Sequence, residues 1–183
     1  MIFIILGSLP FIVYIKFING NNLDDGIITY YDNTKSVSEK EYLKHKKELK
    51  KGTVLISING TIGKLAFYNN EKVVLGKSAS YIECSERIFN KYLFYLLKTH
   101  FIVTQFNLSF SGSTINNLSL YTINNLQIIK PEIEEQHQIV SYLERELKLY
   151  NNKIENTKKL ITLLKEYKTA LISEVVTGKI KVN

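Results

Sequence analysis

Ser111, Ser113, Thr114 and Asn116 fall within six residues, around Gly112 and before Asn117. Short hydroxyl and amide side chains beside a glycine let a backbone approach phosphates and base edges closely. The same residues can also cap their own loop. Gly60-Thr61-Ile62-Gly63-Lys64 looks like the end of a phosphate loop. It lacks the spacing, and Leu65 stands where Ser or Thr is required. Gly76-Lys77-Ser78 has the tail of that motif, but Glu71 occupies the place of its first glycine. Glu48-Leu49-Lys50 matches only the tail of a nuclease carboxylate–lysine motif, common by chance in a lysine-rich chain. His45, His100 and His137 have no ligand spacing, and the single cysteine, Cys84, excludes a disulfide scaffold or a cysteine-rich zinc site. There is no nucleophile elbow, dinucleotide fingerprint or paired-carboxylate site. These residues point to binding rather than to catalysis. Asn59 at a turn, Lys64, Lys77, Ser78, Ser111, Ser113, Thr114 and Asn116 are the candidate contacts for a polyanion that also presents base edges. Lysines suit phosphates, and amides and hydroxyls suit base edges.

Elements must hold these residues. Met1 to Ile18 is apolar but broken at Gly7–Pro10, and no charge precedes it. It reads better as two buried strands, Phe3–Leu6 and Phe11–Phe17, than as a signal or a span of about 20 residues. Asn19–Asp25 is a turn cluster before a strand Ile27–Tyr31. Ser38, three residues before Glu41, opens a helix with a capping box, and Gly52 closes it. Six lysines and three glutamates lie between, a solvated face or a phosphate-facing stripe. Strands are expected over Thr53–Ile58, Ile62–Tyr68 (after an Asn59-Gly60 turn), Val73–Leu75 and Ser80–Cys84. A buried helix is expected over Asn90–Phe106, a helical turn over Leu118–Asn124 and a last strand over Leu126–Ile129.

The last third differs. Pro131 suits a first helical position, and Glu132, Glu134 and Glu135 complement the positive helix end. No Pro or Gly follows until Gly178. One helix from Glu132 to Thr177 is therefore expected, about 67 Å long. Val140, Leu147, Ile154, Ile161, Lys168 and Val175 form one seven-residue series. Leu143, Tyr150, Thr157, Leu164 and Leu171 form the other. Nine of the eleven are apolar, Lys168 and Thr157 being the exceptions, which makes a coiled-coil seam. A single helix cannot bury its own seam, so a partner is required.

The 183 residues carry a net charge of +7, with 24 Lys+Arg against 17 Asp+Glu. Residues 1–131 hold +6 of it, while 132–177 carry −1. The basic excess sits on the globular part. That division suits a polyanion on the domain and protein on the helix.

Several segments together carry a resemblance. Gly52-Thr53-Val54-Leu55-Ile56-Ser57-Ile58-Asn59-Gly60-Thr61-Ile62-Gly63-Lys64 looks like a strand–turn–strand of type I restriction–modification specificity subunits. Ser111-Gly112-Ser113-Thr114 with Asn117-Leu118-Ser119 is similar to their polar loop. Lys130-Pro131-Glu132-Ile133-Glu134-Glu135-Gln136 resembles the opening of their long helix. Leu163-Leu164-Lys165-Glu166-Tyr167-Lys168 and the run Leu171 to Ile180 resemble its end. The matches are in order. The resemblance implies an α+β fold: a twisted mixed β-sheet target-recognition domain with flanking helices over 1–130, a long coiled-coil helix over 131–177 and a tail over 178–183.

It also implies a non-catalytic, cytoplasmic subunit that carries no cofactor. The subunit would read one half-site in double-stranded DNA and dock DNA methyltransferase subunits through its helix. Those partners would bring S-adenosylmethionine chemistry, and a motor–nuclease restriction subunit would bring ATP-driven cleavage. A full member has two recognition domains and two long helices; this chain has room for one of each and has no Trp. A natural half-subunit and a gene remnant both fit. A homodimer, or pairing with another specificity chain, would complete it. The rivals are a coiled-coil adaptor without a nucleic-acid role, which leaves the basic domain unexplained, and a self-sufficient nuclease or methyltransferase, which lacks a site.

Overall fold

The computed structural model describes residues 15–110 and 116–181. The expected strand Phe3–Leu6 and most of Phe11–Phe17 lie outside them. The chain divides into two compact units after Gln136.

The first unit is α+β, and its described residues form three small sheets. β1 (Ile15–Ile18) pairs antiparallel with β4 (Ser36–Val37) and parallel with β7 (Val73–Leu75), so this sheet is mixed. β2 (Leu23–Asp24) and β3 (Ile27–Ile28) make a hairpin. Its Asp25-Gly26 turn has φ of 43° and 99°, the positive pair a tight hairpin needs. β5 (Val54–Ser57) runs between β6 (Leu65–Phe67) and β8 (Ala79–Ile82), antiparallel to both. Ile18, Leu23, Leu55, Ala66, Val73 and Ala79 form a shared core, with Ile28, Leu49, Tyr68 and Leu75 packed on it. All four β5 residues are buried, which explains a continuous apolar run in place of alternation.

α1 (Glu39–His45) starts as expected. Glu41 N donates to Ser38 Oγ, and Ser38 N donates to Glu41 Oε2, both at 3.2 Å. It stops six residues before Lys51. Lys46 turns extended (ψ 144°), and Leu49 leaves the helix to join the core. Gly52, at φ 88°, therefore opens β5 instead of ending α1; its N–H donates to Tyr68 O.

The expected single helix over Asn90–Phe106 is two, α2 (Asn90–Leu97) and α3 (His100–Ser109). Thr99 divides them. Its hydroxyl donates to Leu96 O at 2.7 Å and accepts from Ile102 N, closing one helix and capping the next. α4 (Leu120–Asn124) is the expected short turn, capped by Ser119. Leu126–Ile129 is not a strand. Gln105 on α3 takes the neighbour's place, donating to Gln127 O (3.0 Å) and accepting from Gln127 N (2.9 Å).

α5 (Ile133–Val176) has 44 residues, about 66 Å. Its first bond runs from Gln136 N to Glu132 O, so Pro131 stands just outside the helix. Gln136 is fully buried. Its side chain accepts from Phe89 N (2.8 Å) and donates to Arg87 O (3.0 Å) and Pro131 O (2.9 Å). Gly178 (φ 75°) ends the helix, with Lys179 N donating to Glu174 O and Gly178 N to Val175 O. Among the described residues no helix is long and apolar enough to cross a membrane.

Candidate nucleic-acid interface

One end of the β6-β5-β8 sheet gathers four loops. The β5–β6 connection is longer than an Asn-Gly turn. It runs from Ile58 to Lys64, with Gly60 and Gly63 at φ 70° and 82°. Buried Ser57 organises it: its Oγ donates to Thr61 O (2.6 Å) and accepts from Lys64 N (2.8 Å). The β7–β8 turn, closed by Ala79 N on Gly76 O, presents Lys77 to solvent. Ser78 clamps the loops. Its carbonyl accepts from Ile58 N, and its hydroxyl accepts from Gly20 N (2.9 Å) and donates to Asn19 Oδ1 (3.3 Å). Leu118 N donates to Ile58 O, and Asn59 bridges Asn117.

The structure therefore brings Asn59, Lys64, Lys77, Ser78 and exposed Asn116 to one end of the domain. Ser111, Ser113 and Thr114 lie outside the described residues. Asn59 Oδ1 is buried and has no hydrogen-bond partner among the described residues. A buried orphan acceptor of this kind costs about 1–3 kcal/mol.

Two neighbouring features, one of them inside the expected Asn19–Asp25 turn cluster, are not marked as part of the site by the sequence. A 3-10 turn, Gly20–Asn22, follows β1. A Cβ on Gly20 would stand 2.7 Å from Ser57 Cβ and 2.9 Å from Ser78 O, so only glycine lets the turn lie this close. The β3–β4 loop carries Tyr30, Tyr31, Asp32 and Asn33. With Asn21 and Lys64 they line an open concavity of about 790 Å3. Burial, then the nearby Glu71 carboxylate, raise the Tyr30 phenol above its ordinary range. The sequence signal was available: Tyr-Tyr-Asp-Asn joins aromatic and amide side chains at a turn.

Among the described residues no cluster of His, Cys, Asp or Glu could hold a metal ion. The site has donors, rings and one carboxylate, the inventory for binding a polyanion that also presents base edges.

On the second unit, the expected seam is open along most of its length. Exposure runs from 38% at Leu171 through 43% at Leu147, 48% at Ile161, 50% at Ile154 and 57% at Leu164 to 58% at Tyr150. Leu143 and Val175 are half-buried, and Val140 is buried within the chain, so the open seam starts after it. Thr157 bonds Lys153 O on its own helix. A second exposed line, Leu160, Leu163 and Tyr167, adjoins the seam in the C-terminal half. None of the three stands at the two heptad positions of the expected seam.

The family model for the type I restriction modification DNA specificity domain matches residues 13–166, which include both the domain and most of the helix. This chain belongs to that family. A Haemophilus influenzae protein named for a type I restriction enzyme specificity subunit, S.HindORF215P, is 33% identical over 98 residues. That is 52% of this chain and 24% of the relative. A chain from a structural study of complex assembly and conformational transition of the type I R-M system superposes with TM-score 0.69 at 20% identity. It matches 88% of this chain and 38% of its own length. The HsdS subunit from Thermoanaerobacter tengcongensis gives 0.59 at 18% identity, matching 76% of this chain and 37% of its own length. The specificity-domain chain thus spans about a quarter of the curated relative and under two fifths of each solved neighbour. The α+β fold with its long C-terminal helix is the fold of those neighbours.

Proposed function

We propose that this chain is the non-catalytic DNA-recognition subunit of a type I restriction–modification system. Residues 1–130 form the target-recognition domain and read one half-site. The helix, 131–177, docks methyltransferase subunits and pairs with a second specificity helix, in a homodimer or beside another specificity chain. A restriction motor–nuclease subunit joins the same assembly, which acts on cytoplasmic DNA. The observation that carries this reading is the family match across residues 13–166, covering domain and helix together. The +6 charge on residues 1–131 and the loop end that gathers Asn59, Lys64, Lys77, Ser78 and Asn116 support the DNA half. Ser111, Ser113 and Thr114 belong to the same proposed contact set.

The open seam supports the protein half. Leu147, Tyr150, Ile154, Ile161, Leu164 and Leu171 leave an apolar stripe in water that a partner helix would desolvate. Leu160, Leu163 and Tyr167 widen it beyond the two heptad positions.

Filter binding of duplex DNA across a salt series tests the DNA half. Log affinity should fall linearly with log salt, by about 0.9 per neutralised phosphate. Lys64→Ala and Lys77→Ala should each shallow the slope by about one unit. No binding at low salt would leave the adaptor reading.

A further inference from the structure

Resting on that DNA-recognition reading, we infer that the β3–β4 loop, Tyr30 to Asn33, is a base-reading element in which Asp32 accepts from the exocyclic amino group of a cytosine. Four observations lead there. First, the loop is fastened. Thr34 N donates to Tyr31 O (2.9 Å) and Tyr31 N to Thr34 Oγ1 (2.8 Å), closing a β-turn with Asp32 and Asn33 at its tip. Neither tip residue has a positive φ, so the turn is unstrained.

Second, the loop is tied to the site just described. Buried Asn22 donates to Thr29 O (2.9 Å) and Thr34 Oγ1 (3.0 Å), and its Oδ1 accepts from Asn19 N (2.9 Å). Asn21, exposed between buried Gly20 and Asn22, is held in place by the same bonds. Asn19 in turn meets Ser78. The tip is thus held in place before any ligand arrives, which lowers the ordering cost of binding.

Third, the groups are right for base edges. Amides at Asn21 and Asn33 can pair with adenine, and Lys64 with guanine or a phosphate. Tyr30 and Tyr31, each 45% exposed, offer ring faces and hydroxyls. Fourth, Asp32 constrains the pose. A carboxylate is repelled by phosphates, so on a DNA-facing tip it must meet a donor, and the exocyclic amine of cytosine is the usual partner of Asp or Glu in the major groove. A two-residue tip fits a groove about 12 Å wide.

The test is selection of duplexes from a random-sequence pool by the full chain, with Asp32→Asn, Asn33→Ala and, as a control, Glu83→Gln beyond the far end of β8. Wild type and control should select one motif. Asp32→Asn should lose about five- to hundredfold discrimination for a C·G pair at one position, with the salt slope unchanged. Asn33→Ala should relax one neighbouring position. A wild-type motif in both loop variants, or an even affinity loss across all sequences, would overturn the inference while leaving DNA recognition standing. A wild-type chain that selects no motif would overturn the recognition reading, and this inference with it.

Discussion

Gln136 ties the first turn of α5 to Arg87, Phe89 and Pro131 within the first unit. Its amide satisfies a backbone N–H and two carbonyls from Phe89, Arg87 and Pro131 while fully buried. Gln136→Ala strands those groups, and each lost bond to a buried partner costs about 1 kcal/mol or more. Denaturant titration of the full chain should show a loss of about 3 kcal/mol; a loss below about 1 kcal/mol would mean that water replaces the amide without penalty. Tyr30, Tyr68 and Tyr92 bear on stability at alkaline pH. Burial, the first cause in each case, raises all three phenols, with Glu71 adding at Tyr30, Tyr42 and then Glu71 at Tyr68, and Glu135 at Tyr92. A raised acid binds more protons folded than unfolded once pH passes its unfolded value of about 10. Stability should therefore fall as pH climbs above about 10, measured as melting temperature across pH 8 to 11. A melting temperature that rises over that interval would contradict the account.

At the scale of elements, α5 makes the sharpest prediction. Leu164→Asp puts a charge into the seam, and Leu163→Asp puts one into the adjoining line. If one partner helix covers the seam and a further surface covers the line, Leu164→Asp should abolish pairing. Leu163→Asp should weaken methyltransferase docking alone. Size-exclusion light scattering with and without that partner separates the two, and unchanged assembly in both variants would show that α5 binds elsewhere. The long helix was legible because 44 residues without Gly or Pro repeat an apolar pattern, and β7 was legible because Val73-Val74-Leu75 sits between turn residues. The ends of α1 and the division of α2 from α3 were not. Leu49 leaves one helix for a core that local sequence does not reveal, and Thr99 interrupts an apolar period without breaking it. Leu126–Ile129 has strand composition, yet Gln105 supplies its hydrogen bonds from a helix. The site was half legible. Gly60, Lys64 and Ser78 stand out by type, whereas Tyr30 to Asn33 reach the same end of the domain only through Asn22.

For the whole molecule, the pairing of α5 governs the prediction. If residues 1–130 read one half-site and two copies of this chain pair through α5, a closed two-fold pair carries two identical readers. Two identical readers require an inverted-repeat target, and a helix of about 66 Å holds them apart, so unread base pairs should separate the half-sites. A chain that works only beside a different specificity chain would instead read an asymmetric target. The central claim is that this chain decides which DNA sequence its methyltransferase partner modifies. The most direct measurement is methylation-site sequencing of genomic DNA from cells holding the partner with and without this chain. The account predicts one interrupted motif that is modified only when the chain is present and becomes less selective at one position with Asp32→Asn. An unchanged set of modified sites, with and without the chain, would contradict it.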